Sequence, residues 1–222
     1  MRKYLIITAF FGLPGIASSA PIEGSVDVSP QAWVEADTPK PPGYVRLPVT
    51  APASAYERRV PTSALFLQVV ESLPITPPEA RVVIRLEGGR LSPEVVACAV
   101  DEKLSFLNGE DQAVQIRVGD HVLVPVERGE SVEWSCTASS QGATMKPIRV
   151  EELPWVRASV FVGEVGVAVR PGRDGRFSLE APKGRYKLLW IGREGILAQR
   201  ELTVDDRAVQ VRPFLREEAS AP

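Results

Sequence analysis

The chain has 222 residues, of which 44% are hydrophobic and 24% are charged. These fractions are typical of globular domains and exclude a wholly disordered chain and a bundle of membrane helices. A single histidine excludes a mononuclear metal site with two or more histidine ligands from one chain. A net charge of −2 argues against nucleic acid or an anionic membrane as a partner.

The N-terminus has the pattern of a secretory signal peptide. A basic pair, Arg2 and Lys3, precedes a mostly apolar stretch at residues 4–16, and small residues occupy positions 17–20. The apolar stretch is shorter than the roughly 20 residues that cross a bilayer, which disfavours an uncleaved membrane anchor. We therefore predict that residues 1–19 are a signal peptide. The protein is then periplasmic or secreted, with no transmembrane span after the signal is removed.

A proline-rich segment follows at residues 20–62. Its prolines favour an extended lead-in over a packed domain, because proline lacks a backbone N–H and fixes φ. Two short edge strands are predicted within it, at residues 24–28 and 44–49.

Residues 63–152 form the first predicted folded unit. Short runs rich in β-branched residues alternate there with turn residues, and no stretch shows a helical period. The predicted strands are ALFLQVV (64–70), ARVVIRLE (80–87), PEVVACAV (93–100), KLSFLN (103–108), AVQIRV (113–118), HVLVPV (121–126), SVEWSC (131–136) and KPIRVEE (146–152). Strands of this length and spacing predict a sandwich or a barrel.

A second unit is predicted at residues 153–215, and residues 216–222 are predicted to be a frayed tail. Its strand-like runs are ASVFV (158–162), VGVAVR (165–170), RFSLEA (176–181), RYKLLWI (185–191), ILAQRELTV (196–204) and RAVQVRPF (207–214). Glycine-containing turns separate these runs, and the Asp174-Gly175 pair is a strong hairpin signal. The fold class predicted for the whole chain is therefore all-β, with two modules in sequence.

The two cysteines are predicted to form a disulfide bond. Cys98 and Cys136 each lie in a strand-like run, and an even pair of cysteines in an oxidising compartment is normally bonded. In the chain-entropy model such a bond stabilises the fold by roughly 4 kcal/mol. The alternative is a redox-active or metal-binding thiol, for which the chain offers no C-x-x-C motif.

The second unit resembles the carboxypeptidase regulatory-like family. The resemblance lies in DGRFSLEAPKGRYKLLW (174–190), which follows the family's spacing of aspartate, glycine, aromatic and apolar residues. It implies a small sandwich of transthyretin-like shape. Phe177, Leu179, Tyr186 and Leu188 would then point into its core.

The first unit resembles the cupredoxin-like domain of plastocyanin and methylamine-utilisation-type exported proteins. The similarity covers GGRLSPEVVACAVDEKLSFLNGEDQAVQI (88–116) and WSCTASSQGATMKPIRV (134–150), and it implies a Greek-key sandwich. A cupredoxin copper site uses two imidazoles, a thiolate and a weak thioether, and the expected histidines are missing here. The resemblance therefore implies that the copper ligands are degenerate, and we predict no metal and no cofactor. A residual copper(I) set of Cys136, Met145 and His121 is the alternative.

No catalytic motif is found, and the protein is predicted not to be an enzyme. The preferred function is a binding or scaffolding component of the cell envelope with protein partners, presented through a surface or a strand edge. The alternatives are a carbohydrate-binding module and a copper-binding or electron-transfer protein. The candidate binding surface consists of Trp155, Arg173, Arg176, Lys183, Arg185 and Lys187, whereas Trp134 and Trp190 are predicted to be core.

Overall fold

The computed structural model describes residues 19–26, 63–72, 82–137, 142–172 and 174–214. Within these ranges every regular element is a β-strand, and sixteen strands form four sheets. The predicted all-β fold of sandwich modules is therefore confirmed. Among these residues there is no helix long and apolar enough to cross a membrane.

Two sheets form the first sandwich. Sheet I has the strand order β4-β3-β6-β9, and sheet II has the order β5-β11-β10-β7-β8. The strands of sheet I are β3 (Val82–Glu87), β4 (Arg90–Ser92), β6 (Lys103–Asn108) and β9 (Ser131–Ser135). Those of sheet II are β5 (Val95–Ala99), β7 (Ile116–Val118), β8 (His121–Val122), β10 (Thr144–Val150) and β11 (Arg157–Gly163). The chain passes from one sheet to the other at the cis Ser92–Pro93 bond.

Two further sheets form the second sandwich. Sheet III has the order β12-β2-β14-β15, and sheet IV has the order β13-β1-β16. The strands of sheet III are β2 (Ala64–Ser72), β12 (Gly166–Val169), β14 (Gly184–Ile191) and β15 (Ile196–Val204). Those of sheet IV are β1 (Ser19–Ser25), β13 (Arg176–Pro182) and β16 (Val209–Gln210).

The four sheets are stacked in the order I, II, III, IV, with an apolar core between each neighbouring pair. The core between sheets I and II includes Phe106 and Ile148, and that between sheets III and IV includes Tyr186 and Phe214. The third core joins the two sandwiches: Phe66 and Leu189 of sheet III pack with residues of sheet II that include Phe161. The inner strands are therefore apolar on both faces, which explains continuous runs such as VVACA in β5.

Phe66 lies at the centre of the joint between the sandwiches. Its side chain is fully buried, and its ring meets that of Phe161 edge-on at a centroid distance of 5.5 Å. Gly163 and Gly166 border the same ring, and a Cβ at either position would overlap with it. These glycines make room for an aromatic side chain in the joint.

The predicted core residues of the second unit are confirmed. Phe177, Tyr186 and Leu188 are buried between sheets III and IV, and Leu179 packs against that core. Trp134 and Trp190 are buried as predicted.

The predicted unit boundaries differ from the observed strand pairing. β2, assigned from the sequence to the unit at 63–152, pairs with β14 and β12 of the second sandwich. β11, assigned to the unit at 153–215, pairs with β10 and β5 of the first sandwich. The period of a strand reports which side chains are buried but does not identify the partner strand, so the observed pairing crosses the predicted boundary at 152.

The prediction of an unpacked lead-in at 20–62 is corrected at its beginning. β1 lies between β13 and β16, and its Ala20 and Ile22 are buried in the core of the second sandwich. The burial of these two side chains outweighs the local effect of Pro21, which is exposed. The predicted strand at 44–49 and the tail at 216–222 lie outside the described residues, as does the predicted signal peptide up to Ser18.

We expect Phe66→Ala to lower the free energy of unfolding by about 3–5 kcal/mol, because it opens a cavity at the joint between the sandwiches. Val70→Ala on the same strand is the control. Its side chain is 51% exposed, so a change within about 0.5 kcal/mol is expected. Urea unfolding of both variants measures the difference, and equal losses would contradict the central position of Phe66.

Candidate functional site

The disulfide bond predicted from the sequence is present. Cys98 of β5 and Cys136, which follows β9, are bonded at an S–S distance of 2.13 Å and are both fully buried. The bond joins sheet II to the end of sheet I. Since the chain has two cysteines, neither sulfur is available as a thiolate while this bond is intact.

The residues of the alternative copper(I) set are not brought together by one cavity. His121 and Met145 line an open groove of about 400 Å³ with Lys146 and Asp120, whereas Cys136 does not line it. Within the described ranges, no group of three or more histidine, cysteine, aspartate or glutamate side chains is arranged to hold a metal ion.

The predicted basic surface is divided between two sheets and is largely neutralised. Arg176 lies on β13 of sheet IV, whereas Arg185 and Lys187 lie on β14 of sheet III. Three of its members form ion pairs: Arg176 with Asp174 at 3.6 Å, Lys183 with Asp206 at 2.6 Å, and Arg185 with Glu71 at 3.1 Å. Arg173 lies outside the described residues. The described members of this set therefore do not form one concentrated positive patch.

Trp155 is exposed, as the sequence analysis predicted. It lies in the segment between β10 and β11, is 38% exposed, and is the large aromatic side chain that the described residues leave at the surface. A carbohydrate-binding face would present several coplanar aromatic rings. The described residues do not present such a face.

A row of arginines that the sequence analysis missed crosses sheet II. Arg149 of β10 pairs with Arg117 of β7 on one side and with Arg157 of β11 on the other. We call Arg117, Arg149 and Arg157 the arginine row. The neighbours of Arg117 and Arg149 in sequence are Ile and Val residues buried in the first core. The pleat therefore directs these arginines to the opposite face of the sheet.

The arginine row lines a groove of about 410 Å³ together with Val150, Glu151 and Pro154. Arg117 forms an ion pair with Glu151 at 2.6 Å. The backbone carbonyl of Arg157 accepts a hydrogen bond from Arg193 at 2.9 Å. Arg149 and Arg157 have no carboxylate partner in the part of the chain that the structure describes.

The arginine row places like charges directly opposite each other on neighbouring strands. Such pairs destabilise a sheet, because the repulsion is not compensated by packing. A sequence signal for the row exists in the repeated tripeptide Ile-Arg-Val at residues 116–118 and 148–150. This repeat indicates an arginine pair only once the register of β7 and β10 shows that the two arginines lie opposite each other.

Glu102 has a shifted pKa beside the disulfide. Partial burial raises the pKa of its carboxyl group, and the backbone N–H of Ala99, which donates to it at 2.8 Å, partly opposes this rise. The backbone of Glu102 also accepts a hydrogen bond from the N–H of Cys136. Through these two hydrogen bonds, Glu102 links the turn between β5 and β6 to Cys136 of the disulfide.

Comparisons with known proteins give neither a family nor a curated relative: no family model matches the sequence, and no curated protein does. Among solved structures, a reduced amicyanin mutant is 13% identical with a TM-score of 0.33, over 38% of this chain and 84% of that chain. A copper-containing nitrite reductase from Thermus scotoductus is 16% identical with a TM-score of 0.34, over 41% of this chain and 25% of that chain. These neighbours are cupredoxins, and the likeness concerns the fold alone.

We expect Glu102→Gln to flatten the pH dependence of stability. The raised pKa means that the folded state holds the proton more tightly, so stability falls as pH rises through 4.5 toward the higher folded pKa. Glutamine keeps an oxygen for the Ala99 N–H and carries no charge, so this fall should disappear. Urea unfolding at acidic and neutral pH measures it, with the exposed Glu130→Gln as control. A fall in the Glu102 variant equal to that of the wild type would contradict the assignment.

Proposed function

We propose that the chain is an exported, non-enzymatic binding or scaffolding protein of the cell envelope, whose partner is a protein. The observation that supports this proposal best is strand β15. Its nine residues form an edge of sheet III and pair with β14 on one side. Within the described part of the chain, no strand pairs with its other side.

An edge strand of this length is suited to binding a strand from another chain. Its backbone N–H and C=O groups offer a hydrogen-bond ladder, while side chains on alternate positions provide specificity. Ile196 is 49% exposed at the start of β15, and Glu201 is exposed in its middle. The guanidinium of Arg200, by contrast, donates to the backbone carbonyls of Arg212 and Pro213. Charged side chains on an edge oppose indiscriminate pairing and favour a partner of complementary charge.

Export is supported by the disulfide bond. Bonds of this kind persist in the periplasm and outside the cell, whereas the cytosol keeps cysteines reduced. We infer that a signal peptide is removed ahead of β1, which begins at Ser19, and that the first sandwich is a cupredoxin-like module without its copper ligands. We infer that the second sandwich is of the carboxypeptidase regulatory-like kind.

Copper binding is the second candidate, because His121 and Met145 share one groove. Imidazole and thioether side chains both suit copper(I). This candidate is weaker, since the thiolate that would complete the set is held in the disulfide.

Photo-crosslinking along β15 tests the proposed function. A photoreactive amino acid at exposed Glu201 should crosslink to a discrete envelope protein in intact cells. The matched control is Val83, which is 45% exposed on β3, a strand paired on both sides. Adducts that are absent at Glu201, or equally abundant at Val83, would contradict binding at the edge.

Intact mass spectrometry with metal analysis separates the proposal from copper binding. We expect alkylation of the exported protein only after reduction, and copper well below one equivalent. An alkylatable thiol before reduction, together with stoichiometric copper, would favour the copper-binding function instead.

A further inference from the structure

We propose that the arginine row is a docking site for an acidic peptide segment of a partner protein. This inference rests on the proposed function for the class of partner, but it concerns a surface on sheet II, separate from β15 of sheet III. It assigns a ligand chemistry to the groove between β7, β10 and β11.

The geometry of the arginine row is set by the backbone. Neighbouring strands lie about 4.8 Å apart, so the Cα atoms of Arg117 and Arg157 are separated by roughly 10 Å, with Arg149 between them. Carboxylates at alternate residues of an extended peptide lie about 7 Å apart on one face. Two such carboxylates fit within the row, and each guanidinium offers a pair of parallel N–H donors to one of them.

The groove has an excess of positive charge that suits an acidic ligand. Glu151 pairs with Arg117, and the carboxylate of Glu152 accepts the backbone N–H of Gln115 at 2.8 Å. Arg149 and Arg157 are exposed and have no carboxylate partner among the described residues. The lining of the groove thus carries three arginines and one glutamate, on a chain whose net charge is −2.

Repulsion within the arginine row gives a bound anion a second source of affinity. Arg149 faces a like charge on both sides, which destabilises the sheet in the free protein. A carboxylate between the guanidinium groups converts this repulsion into attraction. Because the ligand binds the folded chain, it should also raise the melting temperature.

The observations favour a peptide over a nucleic acid. Nucleic-acid binders commonly contact about 6–10 phosphates, whereas this row has three cationic side chains. Pro154 lines the groove, so an apolar contact lies beside the charged one. Arginine is enriched among the residues that contribute most to protein–protein affinity.

A labelled hexaglutamate peptide tests the proposal with the full-length protein in its oxidised form. Fluorescence anisotropy should show saturable binding at low ionic strength that weakens at about 0.15 M salt, and no binding of hexalysine. Arg149→Gln should weaken hexaglutamate binding about fivefold or more. Arg170→Gln, which removes an exposed arginine just after β12, should change it less than twofold.

Thermal melting accompanies each binding measurement. Without peptide, Arg149→Gln should melt at the wild-type temperature or above, because it removes like-charge repulsion. A melting temperature in this range shows that the variant is folded.

Binding that is unaffected by Arg149→Gln, or equally reduced by Arg170→Gln, would overturn the proposal. Binding of inorganic phosphate that depends on Arg149, without binding of hexaglutamate, would overturn the peptide as ligand. These assays contain no envelope partner, so their failure leaves the β15 crosslinking result, and with it the proposed function, unaffected.

Discussion

The constraint on which the rest of the structure depends is the burial of both faces of the two inner sheets. Sheets II and III each cover a core on one side and the joint between the sandwiches on the other. Phe66 connects these layers, because it lies in the joint while its neighbours Leu65 and Leu67 face the core of the second sandwich. A shift of β2 by one residue would move Phe66 into the core of the second sandwich and Leu65 and Leu67 into the joint. Because both cores are apolar, side-chain size distinguishes the correct register: Gly163 and Gly166 leave space for an aromatic ring in the joint.

Much of the strand content could be predicted from the sequence, but the assignment of strands to sheets could not. The bounds predicted for KLSFLN (103–108) and ILAQRELTV (196–204) are those of β6 and β15, since turn residues punctuate both runs clearly. β2 and β11 were assigned to the wrong sandwich, because an apolar run records burial without recording the partner strand. The disulfide was predictable because it followed from compartment and cysteine count. The arginine row was not, because Arg117 becomes the neighbour of Arg149 only through the pairing of β7 with β10, which are far apart in sequence.

The two proposed binding surfaces share a structural origin. Each lies where a sheet extends beyond the neighbouring sheet in the stack. Sheet III packs on the β5 and β11 end of sheet II, and the arginine row begins at the exposed first residue of β11 and continues toward the other edge. β15 is the corresponding limit of sheet III itself. Both limits carry charged side chains.

The order of strands along the chain has a consequence for how the molecule is assembled during synthesis. The first sandwich is contiguous from β3 to β11, so all its strand pairs are available once residue 163 has emerged. β1 and β2 are made earlier, yet their antiparallel partners lie in β12, β13 and β14. The N-terminal strands thus remain without partners while the neighbouring sandwich forms, and such long-range closure is slow. The C-terminal quarter of the chain therefore completes the second sandwich and closes the stack of four sheets.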